Sequence, residues 1–139
     1  MVTKMMDDLK KQLELHEGFR KHPYKCTAGK VTIGFGRNLD DVGISRVEAG
    51  ILLEYDVLIA IEELEKVFPN FSTFTDVRRI ALIDMMFNLG ASRFVKFKKM
   101  ILAIRAEHWE HAASEAVNSR WYSQVGDRAK TIVNQLYVG

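Results

Sequence analysis

Apolar residues return every three to four positions near the start of the chain, and that spacing predicts a first helix from Asp7 to Glu17, with Leu9, Leu13 and His16 on one face and Gly18 as its stop. Pro23-Tyr24 then forces extended backbone, and Ala28-Gly29 separates two short segments, Tyr24 to Cys26 and Lys30 to Ile33, that read as a hairpin. Ser45-Arg46-Val47-Glu48 has the S-x-x-E form of a capping box. It opens a helical pattern that reaches Val67, before Phe68-Pro69 breaks it. Val47, Ile51, Leu52, Tyr55, Leu58 and Ile59 form an apolar stripe along this helix, with Glu54, Glu62, Glu63 and Glu65 on its wet side. Past Thr75 the spacing predicts helices at about 76–89, stopped by Gly90, then 93–106, 107–118 and 126–137. One hairpin followed by a run of helices implies an α+β fold: a small N-terminal hairpin lobe and a larger helical C-terminal lobe, joined by the long helix. A ligand is expected in the cleft between the lobes.

The chain's 139 residues, 47% of them hydrophobic, fit one domain over 1–139 with a closed core. Repeats, low-complexity stretches and Pro- or Ser-rich linkers are absent from the sequence. No apolar run approaches the length of a membrane span, and MVTKMMDDLKKQ is too polar to act as a secretory signal, so a soluble protein with no membrane insertion is expected, retained in the cytoplasm where it is made. The single cysteine cannot form an internal disulfide, which suits a reducing compartment.

Net charge is +2 but unevenly spread: residues 1–39 and 93–139 each carry 8 Lys/Arg against 4 Asp/Glu, while 40–76 carry 2 against 9. Basic ends that meet in space would attract a polyanion, and both nucleic acid and bacterial wall polymer qualify. Scattered, solvated charge is the equal alternative.

Three residues carry the candidate chemistry. Glu17 is placed at the last turn of a helix, where the macrodipole and partial burial both favour a carboxyl that keeps its proton, as a general acid needs. A surface glutamate is the commoner meaning of such a position. If the hairpin closes with a three-residue loop, Thr27-Ala28-Gly29, then Cys26 pairs with Lys30 and Tyr24 with Thr32, and Cys26 and Thr32 share a face; a four-residue loop separates them. A lone cysteine is otherwise a small buried hydrophobe, and a strand threonine is there for β propensity. His108 and His111 stand at i, i+3 with only Glu110 as a nearby acid, a poor zinc set, and no phosphate-cradling motif occurs. Neither a metal nor another cofactor is expected.

The whole string E-G-x-R-x-x-x-Y-x-C-x-x-G-x-x-T-I-G-x-G, from Glu17 to Gly36, resembles the N-terminal signature of phage-type lysozymes, glycoside hydrolase family 24. That family's pattern is a Glu, eight residues, an Asp or Cys, five residues, then a Thr, and Glu17, Cys26 and Thr32 fit both spacings. FNLG, Phe87 to Gly90, is similar to the family's cleft-lining helix end, and RWYSQVGDRA, Arg120 to Ala129, to its C-terminal segment. The resemblance implies that Glu17 protonates the glycosidic oxygen and that Cys26 and Thr32 serve the far side of the sugar. It implies that Arg128 reaches back to the catalytic Glu and orients it, lowering its pKa, and that Phe87, Asn88 and Trp121 line the substrate cleft. Aromatic residues at helical spacing are more often core.

In the family the second position is most often Asp, which with Thr orients a water in an inverting reaction. A free thiol has a pKa of about 8.5, so Cys26 stands open as a weaker base, a thiolate of lowered pKa or a nucleophile, with water activation favoured because Thr32 is retained. Many members also carry His after the signature's final glycine, where this chain has Arg37-Asn38. The activity implied is N-acetylmuramidase: cleavage of the β-1,4 bond between N-acetylmuramic acid and N-acetylglucosamine in peptidoglycan glycan strands. A monomeric phage endolysin is then expected, held in the host cytoplasm until a holin opens the way to the wall, with a tail-associated lysozyme or a non-catalytic wall binder as alternatives. A nucleic-acid partner is not expected.

Overall fold

The computed structural model describes residues 2–139. Its elements run α1 (Val2–Glu17), β1 (Arg20–Lys25), β2 (Val31–Gly34), β3 (Arg37–Asn38), α2 (Arg46–Val67), a 3-10 turn (Phe71–Thr73), α3 (Asp76–Leu89), α4 (Ala91–Phe94), α5 (Lys98–Arg105), α6 (Trp109–Val117), α7 (Arg120–Val125) and α8 (Asp127–Val138). The class is α+β, as the pattern predicts. Two compact units divide the chain inside α2, Met1–Gly50 and Ile51–Gly139.

In the first unit, α1 begins five residues before the predicted Asp7, because nothing in Thr3 to Met6 breaks a helix and Lys4 pairs with Asp8 at 3.0 Å, one turn on. The sheet is antiparallel in the order β1-β2-β3. Tyr24 faces Thr32 and Lys25 faces Val31, and the Cys26 amide donates to the Lys30 carbonyl at 2.9 Å. This is the three-residue register. The Gly29 amide closes the turn on the Cys26 carbonyl at 2.8 Å, with Gly29 at φ 77°, a conformation open to a residue without Cβ. Strand β1 is longer than predicted and bulged between Arg20 and Tyr24, which accommodates Pro23, a residue with no amide to give the ladder.

The third strand is absent from the sequence prediction. It is two residues long, pairing Ile33 with Arg37 and Thr32 with Asn38, too short to leave an alternating pattern. Side chains fix the turn beyond it: Asn38 and Asp41 bond each other, and Asp40 accepts the Val31 amide at 2.8 Å. The capping box is present in full, Ser45 N–H to Glu48 Oε1 at 2.9 Å and Glu48 N–H to Ser45 Oγ at 3.1 Å. Arg37 adds a two-pronged ion pair to the same carboxylate, Nη1 to Oε1 at 2.9 Å and Nη2 to Oε2.

In the second unit, α2 buries Ala60 and Leu64, followed by Phe68 just past its end, a stripe of one residue per turn. The stripe predicted from Val47 to Ile59 is instead exposed, from 49% at Ile51 to 74% at Val47. Periodicity located a helix there without locating its buried face. The core gathers around Leu64, Phe68, Leu82, Met85, Phe94, Ile104, Ile132 and Leu136, all sealed from solvent, with Phe68 edge-on to Phe94 at 6.2 Å.

Helix α3 matches its predicted bounds, capped by the Thr75 side chain at the Arg78 amide and ended by Gly90. The predicted helix at 93–106 is two helices, interrupted at Val95 to Phe97 with no glycine or proline to announce it. It ends as a Schellman turn on Glu107, at φ 57°, with Glu107 N–H to Ile104 O and His108 N–H to Ala103 O, both 2.9 Å. Helix α7 is also absent from the sequence prediction; Ser119 caps it by accepting the Tyr122 amide at 3.2 Å, and Gly126 separates it from α8. Arg78 ties α3 to the end of α8 through the carbonyls of Leu136 and Tyr137, at 2.9 and 3.2 Å.

The Arg37 guanidinium, and after it the Ser45 amide and hydroxyl, pull the Glu48 carboxyl down to about 2 from an ordinary 4.5. A carboxyl lowered by folding contributes stability that is fully present above its unfolded value and lost as pH falls through its folded one. Thermal melting between about pH 5 and pH 2 is therefore expected to decline less steeply for Glu48→Gln than for the wild type; parallel declines would show that this pair contributes nothing to acid stability.

Candidate active site

Glu17 is the final residue of α1, and the Gly18 amide completes the helix by donating to the Glu14 carbonyl at 2.9 Å. From there the side chain lies across the backbone of Gly36, just beyond β2: a Cβ built on Gly36 would stand 2.6 Å from Glu17 Oε2 and 2.9 Å from Cδ. Gly36 has φ 77°. Its lack of a side chain thus makes room for the carboxylate, a role that the sequence, where Gly34-Phe35-Gly36 reads as a tight bend, did not reveal. The signal available was the spacing of that glycine from Glu17 within the signature.

Cys26 and Thr32 are brought to one face of the hairpin by the observed register. Thr32 is buried, 3% exposed, and is the single polar residue among the described residues to be so enclosed; Cys26 is half-buried. The Lys30 amide, then the Ala28 amide, donate to the sulfur and hold the Cys26 thiol below its ordinary range, while partial burial opposes them. The Thr32 hydroxyl lowers it further. That hydroxyl donates to the Lys30 carbonyl at 2.9 Å, and its one proton serves either that oxygen or the sulfur, never both at once. The pair is a thiol eased toward thiolate beside a hydroxyl free to rotate.

The residues expected to line the substrate cleft lie in the second unit, and they separate. Asn88 Oδ1 accepts the Trp121 indole N–H at 2.8 Å, so the FNLG and RWYSQ segments do meet. Trp121 is 5% exposed, with its ring edge-on to Phe97 at 6.2 Å. It is a core residue that shows an edge: with Asn88, Arg93, Lys96 and Arg120 it lines a groove of about 630 Å³ whose charged residues are all cations. Phe87 is 46% exposed and lies in a different hollow of about 440 Å³, beside Asp56, Glu63 and Gly90. Arg128 is engaged by Asp84, Nε to Oδ1 at 2.8 Å and Nη2 to Oδ1 at 2.6 Å. This partner, 44 positions away, left no local signal in the sequence.

His108 and His111 border an open pocket of about 540 Å³ with Trp109, Glu110 and Ser114. Among the described residues no group of three or more His, Cys, Asp or Glu side chains is placed to hold a metal ion. No described helix is long and apolar enough to cross a membrane.

A small antiparallel sheet on an otherwise helical α+β chain is the fold of a lysozyme-type hydrolase. Residues 14–135 match the phage lysozyme family, and the chain belongs to it. It is similar to the probable T4-type lysozyme 2 of Dictyostelium discoideum, 31% identical over 97% of this chain and 96% of that protein. Two larger phage proteins match over part of their length. One is the pre-baseplate central spike protein of Enterobacteria phage T4, 28% identical over 91% of this chain and 27% of that protein. The other is a peptidoglycan hydrolase of Pseudomonas phage phiKMV, 23% identical over 98% and 16% respectively.

The lowered thiol gives a direct readout. Alkylation of Cys26 by iodoacetamide, followed against pH by intact mass, is expected to reach half its limiting rate below the pH of an ordinary free thiol, and Thr32→Val is expected to move that midpoint upward. An ordinary midpoint, unmoved by Thr32→Val, would contradict the assigned hydrogen bonds.

Proposed function

We propose that this chain is an N-acetylmuramidase that hydrolyses the β-1,4 bond between N-acetylmuramic acid and N-acetylglucosamine in peptidoglycan. The observation that carries the reading is the hairpin register, which sets Cys26 and Thr32 on one face, in a chain that belongs to the phage lysozyme family. Glu17 delivers its proton to the glycosidic oxygen as the bond to the anomeric carbon breaks, so the leaving sugar departs as an alcohol rather than an alkoxide. A water held by the Thr32 hydroxyl attacks the anomeric carbon from the opposite face, and its proton passes to Cys26. The bond broken is carbon to leaving-group oxygen; the bond formed is carbon to water oxygen. The amides of Lys30 and Ala28 favour the thiolate form that accepts the proton.

As an endolysin the enzyme acts as a monomer, accumulates in the host cytoplasm and reaches the wall once a holin has opened the membrane. A tail-associated role has its own support in the similarity to the T4 central spike protein, of which this chain matches only a part.

Clearing of chloroform-treated Gram-negative cells by the purified protein tests the activity. Glu17→Gln, which keeps the shape of the side chain and removes its acidic proton, is expected to lower the rate by at least about 100-fold with the fold intact. Cys26→Ser is expected to cut activity sharply, and Cys26→Asp to retain much of it, because a carboxylate orients water as well. A folded wild type that binds the wall without clearing it would leave a non-catalytic wall-binding protein. Serine working as well as cysteine would reduce the thiol to a packing group.

A further inference from the structure

We propose that Arg37 is a positioning residue for Glu17, an inference that rests on the reading of Glu17 as the general acid. The seat of the Glu17 carboxylate is the backbone of Gly36, and the next residue along the chain is Arg37. The sheet alone holds this segment weakly: β3 has two residues and two pairings with β2. Arg37 supplies the missing anchorage. Its Nη1 donates to the Gly43 carbonyl at 3.1 Å and to Glu48 Oε1 at 2.9 Å, while Nη2 donates to Glu48 Oε2. A planar fork gripping both oxygens of one carboxylate fixes orientation as well as distance, which a single bond does not.

The carboxylate it grips is itself immobilised. Glu48 Oε1 accepts the Ser45 amide at 2.9 Å, and the Glu48 amide donates to Ser45 Oγ at 3.1 Å, so the anchor is the capped start of a 22-residue helix. Hydrogen bonds run from that helix start through Glu48 to Arg37, and the residue before Arg37 is Gly36, the glycine whose missing Cβ leaves space for the Glu17 carboxylate. Both the cation and the anion keep their charge near neutral pH, since an arginine stays protonated there and the pairing lowers Glu48. A histidine at this position would bring a charge that fades near neutral pH and no fork.

The test uses the full chain with Arg37→Ala, Arg37→Lys, Glu48→Gln, Gly36→Ala and Glu17→Gln. Turnover of purified peptidoglycan is measured well below each variant's melting midpoint. Arg37→Ala is expected to lower kcat roughly ten-fold or more while KM changes less than about two-fold, because misplacing a reacting group by about 1 Å costs on the order of 100-fold. Glu48→Gln, which retains the capping box, should behave likewise and carries the test if Arg37→Ala does not fold. Arg37→Lys should recover part of the loss. In protein labelled with 13C-carboxyl glutamate, the Glu17 resonance, identified by its absence from Glu17→Gln, should move in Arg37→Ala and in Gly36→Ala. Wild-type kcat with an unmoved Glu17 resonance overturns the proposal, and so does a raised KM with kcat unchanged, which would place Arg37 in binding. Full activity in Glu17→Gln overturns the acid reading itself, and the resonance still reports whether Arg37 seats that side chain.

Discussion

A backbone amide reaching back three residues, from Gly29 to the carbonyl of Cys26, sets the register of the hairpin that carries Cys26 and Thr32. It closes the turn in three residues because Gly29 tolerates φ 77°. One residue more in that turn would send Thr32 to the opposite face from Cys26, since side chains alternate along a strand. The same closure aims the amides of Ala28 and Lys30 at the sulfur, so the bond that fixes register also eases the thiol toward its anion. Geometry and acidity have one origin here.

The Glu17 carboxylate answers to a second, separate contact. Glu17 ends α1 and its carboxylate lies against Gly36, outside that helix; the next residue, Arg37 of β3, pairs with Glu48 beyond the sheet. In the proposed mechanism the two sides of the sugar would be served by groups placed by different means: hydrogen bonds of the turn for the thiol and hydroxyl, a salt bridge to a helix cap for the carboxyl. In the second unit a similar economy operates at a longer range, where Trp121 is packed as core and yet gives its indole N–H to Asn88 at the rim of a cation-lined groove.

How much the sequence disclosed depends on the range of each interaction. The capping box at Ser45 and Glu48, the turn at Gly29 and the end of α3 at Gly90 are local, and each was legible because three or four consecutive residues specify it. The break between α4 and α5 was not, because Phe97 leaves the helix to pack against Trp121, 24 positions on, and carries no breaker of its own. Helix α2 was found by its period, yet its buried face was misplaced, because Ala60, Leu64 and Phe68 bury where later elements pack and the richer apolar stripe before them does not. Glu17, Cys26 and Thr32 were visible as a spacing. Gly36 as the acid's seat, Glu48 as the partner of Arg37 and Asp84 as the partner of Arg128 were not, since each joins residues that only the folded chain makes neighbours.

The claim at the centre is that Cys26 and Thr32 present a water to the sugar, with the Cys26 thiolate accepting a proton and forming no bond to carbon. Proton NMR of the first sugar released from a β-linked glycan, recorded before mutarotation, tests this most directly. Attack by water on the face opposite the leaving group yields the α-anomer, and intact mass shows no adduct on the enzyme. A β-anomer, or a glycosyl group trapped on Cys26, would contradict it and make the thiol a nucleophile.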